Sequence, residues 1–253
     1  MDVISWFLDP ANWQGESGIP NRLLEHVALS GAALLTAALI GLSIGLFIGH
    51  TGRFANAVIN VANIGRAIPS YAVLVIILPI SLQFSPDLGL NIIPTFLAMT
   101  LLAIPPILVT TYAGIREVDR DLVEAARGMG LREGQILRNL EIPLAIPVIV
   151  GGFRTATLQV IATATIGAVV AGGGLGRFIV DGFSNPSLPA QLYGGVILVA
   201  CLAIGTDGLL SLVQRRLTPR ALRGDFGSGS RPVDPDAQGP AQTLAQGPVS
   251  AAG

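Results

Sequence analysis

Between Arg116 and Glu141 the chain places 11 of its 31 formal charges (15 basic, 16 acidic), and long apolar runs lie on both sides. The residues there are suited to recognition and form no catalytic or metal-ligating set. Asp121 followed by Glu124 has capping-box spacing, with Asp in place of Ser or Thr. The helix that starts there puts Leu122, Ala125, Ala126 and Met129 at i, i+3, i+4 and i+7, on one apolar face that the two alanines keep thin. Gly130 can take the left-handed conformation that stops a helix, and Leu131 begins a second segment that runs to Pro143. The expected product is a short helix, narrow and apolar on one side and charged on the other. Such a shape fits a groove in a partner protein. The alternative is a solvated helix resting on its own bundle.

Two further groups stand out. Arg66, Arg154 and Asp207 lie within or beside apolar runs. A charge at the centre of a bilayer costs about 2.5–3.5 kcal/mol on insertion scales. Arg154 is 11 residues beyond Pro143, roughly 16 Å of helix, and Asp207 is 8 residues before Arg215, roughly 12 Å. The three are expected at one level, with Asp207 paired to one Arg and the other Arg facing a pathway; otherwise each Arg reaches the interface separately. Tyr71, just beyond Pro69, is the aromatic residue placed nearest that pathway. The second group is Gly172, Gly173, Gly174 and Gly176, which allow a sharp turn before the segment beginning at Arg177.

These groups need a scaffold, and composition says which. Hydrophobic residues are 51% and mean hydropathy is +0.65. The apolar residues come in blocks, at about 27–49, 64–83, 91–112, 145–170 and 191–213, and crossing a bilayer takes about 20 residues of helix. The expected fold is all-α, a polytopic membrane protein of about five transmembrane helices, since lipid leaves the backbone no other partners in such blocks. Span one carries Gly41, Gly45 and Gly49, a small-residue stripe that admits another helix closely. Pro69, Pro79, Pro94, Pro105 and Pro106 are expected to kink or end spans two and three. The single Cys201 sits inside the fifth block and is expected to pack as a small apolar residue.

All 15 basic residues are Arg. An outside N-terminus puts ten of those flanking the spans on the cytoplasmic side against two outside, so the charged loop, about 113–144, is expected in the cytoplasm. Residues 1–25 are expected as an external or interfacial segment, with Trp6, Phe7, Leu8 and Trp13 at the bilayer surface, residues 26–223 as the membrane domain and residues 224–253 as a disordered cytoplasmic tail. A net charge of −1 without a basic cluster gives no footing for nucleic acid. A chain without Lys cannot carry the phosphate-binding loop of an ATPase. No external segment is large enough for a substrate receptor.

The segment "EAARGMGLREGQILRNLEIP" resembles the cytoplasmic signature of permease subunits of ABC importers: EAA, three residues, Gly, nine residues, I-x-L-P. Glu124-Ala125-Ala126 and Gly130 match it, and Leu140-Glu141-Ile142-Pro143 matches with Leu and Ile exchanged. Over roughly residues 20–223, "GRAIPSYAVLVIILPI", "FRTATLQVIATATIGAVVAGGGLGRFI" and "RRLTPR" resemble permeases of the osmoprotectant type, which import glycine betaine, carnitine or choline. "GGGLG" also resembles methionine permeases, so a methionine or other amino-acid permease is the alternative, and an ion-driven carrier the alternative of another class. The resemblance implies a type I importer fold in which the charged loop docks on a cytoplasmic ABC ATPase dimer. It also implies a second permease, identical or paralogous, an external substrate-binding protein, and ATP and Mg on the ATPase with no cofactor on this chain.

Overall fold

The computed structural model describes residues 2–84, 92–170 and 172–218, all within the compact unit Met1–Pro219. The expected tail at 224–253, with Arg220 and Arg223 before it, lies outside the described residues. Among the described residues every regular element is helical. The order is α1 (Val3–Leu8), a 3₁₀ turn (Pro10–Trp13), α2 (Ile19–Thr51), α3 (Ala55–Ala67), α4 (Ser70–Phe84), α5 (Ile93–Arg116) and α6 (Arg120–Gly128). α7 (Glu133–Ile136) then continues through a π turn (Leu137–Glu141) into α8 (Ile142–Val170), followed by α9 (Gly176–Ser184) and α10 (Pro189–Leu217).

Four helices are long and apolar enough to cross a membrane: α2, α5, α10 and the continuous run Glu133–Val170. A fifth crossing is met only by α3 and α4 taken together. Where the sequence predicts one span over 64–83, α3 and α4 meet at 92°. The cause is local: Ile68 precedes Pro69 and is extended (φ −77°, ψ 126°), because the proline ring crowds the helical region for the residue before it. Pro105 and Pro106 act differently from expectation, since α5 continues through both with the two rings buried. α2 starts at Ile19, so residues expected in the external segment belong to the first membrane helix. Its 33 residues span about 50 Å, more than the hydrocarbon slab of about 30 Å.

The core lies where α2, α5 and α8 meet, around Ala33, Ala37, Met99, Ala103, Ile107, Ala156 and Val160. Small residues set the spacing. A Cβ on Gly45 would lie 2.7 Å from the Thr111 Cβ and 2.9 Å from the Leu108 carbonyl oxygen, and one on Gly49 2.8 Å from the Ile115 Cβ. The Gly41-Gly45-Gly49 stripe is thus used inside the subunit, against α5. Trp6 is not an interfacial anchor. It is buried against Ile19, Leu175, Phe178 and Ala190, and its ring lies on the bare backbone of Gly194. Leu8 and Trp13 remain exposed. α10 is peripheral, held to α8 and α9, and Cys201 on it is exposed where the sequence predicts packing.

Candidate functional site

The charged segment folds as a helix, a stop and a return. Asp119, not Asp121, is the N-cap of α6: its carboxylate accepts from the Asp121 N–H at 2.9 Å, and Asp121 and Glu124 sit in the helix, exposed. The helix ends at Gly130, whose φ of +84° permits the Leu131 N–H to bond back to the Ala126 carbonyl at 3.2 Å. No atom lies within 4 Å of a Cβ placed there, so conformation, not space, calls for glycine.

The apolar face divides differently from the expected one. Ala126 turns inward with Val123, and both are buried with Val118 and Ile136; Leu131, Leu140 and Leu144 close around them. Leu122 and Met129 are exposed (49% and 74%), with Ala125 exposed between them. One helix therefore carries two apolar stripes, one that holds it to its own chain and one that faces away. The face is free of local partners, and Glu124 forms no hydrogen bond or ion pair among the described residues.

Polar contacts then tie the segment down. Arg127 in the last turn of α6 donates to both oxygens of Glu133, at 2.7 and 3.0 Å. This bidentate bond raises the Arg127 pKa further above the ordinary arginine value. Glu133 lies 3.3 Å from the His50 Nε2, and the His50 Nδ1 lies 2.5 Å from the Glu141 Oε2. Sequence reasoning missed this chain, because His50 is 91 residues from Glu141 and carries no local signal.

Of the three charges expected within or beside the apolar spans, the structure brings Arg154 and Asp207 together in a bidentate pair, both bonds 2.9 Å, across α8 and α10. Gln214 extends it, accepting from Arg154 at 3.1 Å and donating to the Pro147 carbonyl at 2.8 Å. The pair clamps the peripheral helix to α8. Arg66 does not join it: it lies exposed in the last turn of α3 and has no hydrogen bond or ion pair among the described residues. Tyr71, half-exposed, opens α4 just past the break.

The glycine-rich turn sits at the opposite end of α2 from His50. Gly174 has φ +79°, and its N–H donates at 2.8 Å to the Glu25 carboxylate, which also accepts from Arg22 at 2.9 Å. A Cβ on Gly173 would come within 2.5 Å of that carboxylate, one on Gly174 within 3.1 Å of the His26 ring, and one on Gly176 within 2.5 Å of the Thr165 carbonyl. Gly172 is buried and donates to the Gly167 carbonyl at 3.0 Å. Beside the turn, a cavity of about 790 Å³ is lined by Arg22, Glu25, His26, Leu29, Gly173 and Arg177, among others.

A membrane bundle with an outward-facing helix on one loop and a cavity at the other end suits a pathway driven by a partner. Residues 37–221 match the family model of the binding-protein-dependent transport system inner membrane component. The chain belongs to this family. It is similar to the choline transport system permease protein OpuBB of Bacillus subtilis (strain 168), 34% identical over 80% of this chain and 89% of that one. To the carnitine transport permease protein OpuCD of Listeria monocytogenes the identity is 36%, over 87% and 95% of the two chains. Among solved structures, the MetNI methionine ABC transporter in an inward-facing conformation superposes with a TM-score of 0.70 at 21% identity, over 83% of this chain and 99% of that one. That likeness concerns the fold. The permease is a transporter component of an ABC importer rather than an enzyme. It works with a separate ATPase subunit and a substrate-binding protein.

Proposed function

We propose that this permease forms the translocation pathway of an importer for quaternary ammonium osmoprotectants such as glycine betaine, choline or carnitine. The observation that carries the substrate class is the group of curated relatives: choline and carnitine permeases at 34–36% identity, matched over 89–95% of their length. The scarcity of aromatic residues, two Trp and three Tyr, speaks against a cation–π cage on this chain. Selectivity is then assigned to the external binding protein. The N-terminus lies outside and the C-terminus in the cytoplasm, by the excess of Arg around the charged loop and after α10.

In this reading α6 is the segment that docks on the ATPase. Its outward stripe of Leu122, Ala125 and Met129 enters a groove, and Glu124 pairs with a cation there. Val123, Ala126, Gly130 and Leu131 hold the stripe in place. ATP and Mg²⁺ reside on the ATPase dimer. A second permease, identical or paralogous, completes the pathway, and Gly172–Gly176 shape the face turned to the receptor. Uptake of radiolabelled glycine betaine, choline, carnitine and methionine by the reconstituted assembly is the test. Transport of methionine alone would overturn the substrate class.

A further inference from the structure

Four side chains from four elements join in one line at the loop end of α2: Arg127 of α6, Glu133 of α7, His50 of α2 and Glu141 of the π turn. The two ends of the line differ in environment. Arg127 and Glu133 are about half exposed, and an ion pair of that kind contributes little by itself. Glu141 is fully buried, and its second oxygen has no partner among the described residues. Its one hydrogen bond is to His50, whose side chain is only 12% exposed. A buried carboxylate with a single partner cannot easily part from it, so His50 and Glu141 have to move as one body.

The π turn accounts for the placement. One extra residue in a helical turn rotates the rest of the helix by about 100°, and the turn ends on Glu141, which faces α2. Both ring nitrogens of His50 face carboxylate oxygens, so one ring links the two neighbours. The apolar anchorage of α6 does not reach α2. It runs to α7, the π turn and the start of α8, through Val123, Ala126, Ile136 and Leu140. The polar line therefore joins α6 by side-chain contacts to the helix whose alanines and glycines form the centre of the bundle, beside an apolar cluster in which Leu137 and Ile142 meet Leu42 and Leu46 of α2 around Ile115 and Ala145.

We propose that His50 and Glu141 are positioning residues for energy coupling. They make the line Arg127–Glu133–His50–Glu141 a strut that carries displacement of α6 to α2 when the ATPase moves. The inference rests on the reading that α6 docks on the ATPase.

The test uses the complete transporter, permease with ATPase and binding protein, in proteoliposomes. Three quantities are read: co-purification of the ATPase, ATP hydrolysis, and uptake of whichever labelled osmoprotectant the wild type imports. His50→Ala and Glu141→Gln are expected to keep the ATPase bound and hydrolysing, while uptake per ATP falls about 2- to 30-fold, the range found for residues along a coupling route. His50→Arg, whose guanidinium can donate to both carboxylates, is expected to recover part of that ratio. An unchanged ratio in both variants overturns the strut. So does loss of the ATPase from His50→Ala, which would mark His50 as part of the docking structure alone. Ala125→Arg on the outward stripe separates the two ideas: it should release the ATPase, and if it does not, the docking reading itself falls. Should His50→Ala fail to insert, His50→Gln combined with Glu133→Gln decides, since losses in uptake per ATP that simply add would exclude a shared line.

Discussion

Gly45→Ala adds one methyl group where α2 meets α5, and the structure sets its cost. The new Cβ would stand 2.7 Å from the Thr111 Cβ and 2.9 Å from the Leu108 carbonyl oxygen. Carbon atoms are in best contact at about 3.5–4.0 Å, so the overlap is about 0.8 Å or more. Thr111 cannot swing away freely: it is fully buried, and its hydroxyl donates to the Ile107 carbonyl at 2.7 Å. The Leu108 carbonyl is backbone. Relief must come from α2 backing off, which loosens the layer of Ala37, Ala38 and Ile107 beside it. Overpacking of this kind costs about 1–3 kcal/mol. Alanine also raises helix propensity over glycine by about 1 kcal/mol, and Gly31→Ala in the same helix isolates that gain, because nothing lies within 4 Å of its Cβ. The difference between the two variants is then the packing cost alone. Both would be heated in detergent, and the fraction remaining monodisperse followed with temperature. Gly31→Ala should match or exceed the wild type, and Gly45→Ala should fall below Gly31→Ala by several degrees. Equal midpoints for the two variants would refute close α2–α5 packing at Gly45.

The loop, the clamp and the turn each give a further expected outcome. Gly130→Pro and Glu124→Lys should abolish transport with the permease still inserted, as read by uptake and membrane content; proline cannot take the φ of +84° that Gly130 holds, and lysine reverses charge on the docking face. Asp207→Asn should lower the yield of assembled transporter more than Arg154→Lys, because it leaves the guanidinium without its counter-charge; equal yields would show the clamp to be dispensable. Gly173→Leu should impair receptor-dependent uptake, since its Cβ would meet the carboxylate that holds Gly174, and normal uptake would reduce the turn to a plain helix end.

Some of this architecture is legible residue by residue. The apolar blocks specify a helical membrane protein, because a backbone in lipid must satisfy itself within one helix. The stop at Gly130 is equally local, since only the conformation of that residue is at issue. The break at Ile68 is also written locally, in the residue before Pro69, but a hydropathy window reads composition and passes over φ and ψ. The cap of α6 lies two residues before the one the spacing predicts, because Asp119 and Asp121 both have capping chemistry, and only the backbone path after Val118 chooses between them.

What the sequence by itself determined is thus the class of protein, its membrane blocks and a charged helix between two of them. Which side of that helix faces home was decided by tertiary structure, because the answer depends on where Ile136 and Leu140 return against Val123 and Ala126. The same holds for Trp6, whose amphipathic ring suits a bilayer surface until Phe178 and the bare Gly194 offer a closer fit. It holds most for His50 and Glu141, 91 residues apart. A single histidine and a single glutamate carry no periodicity, and only the approach of two helix ends puts one ring nitrogen against one buried carboxylate.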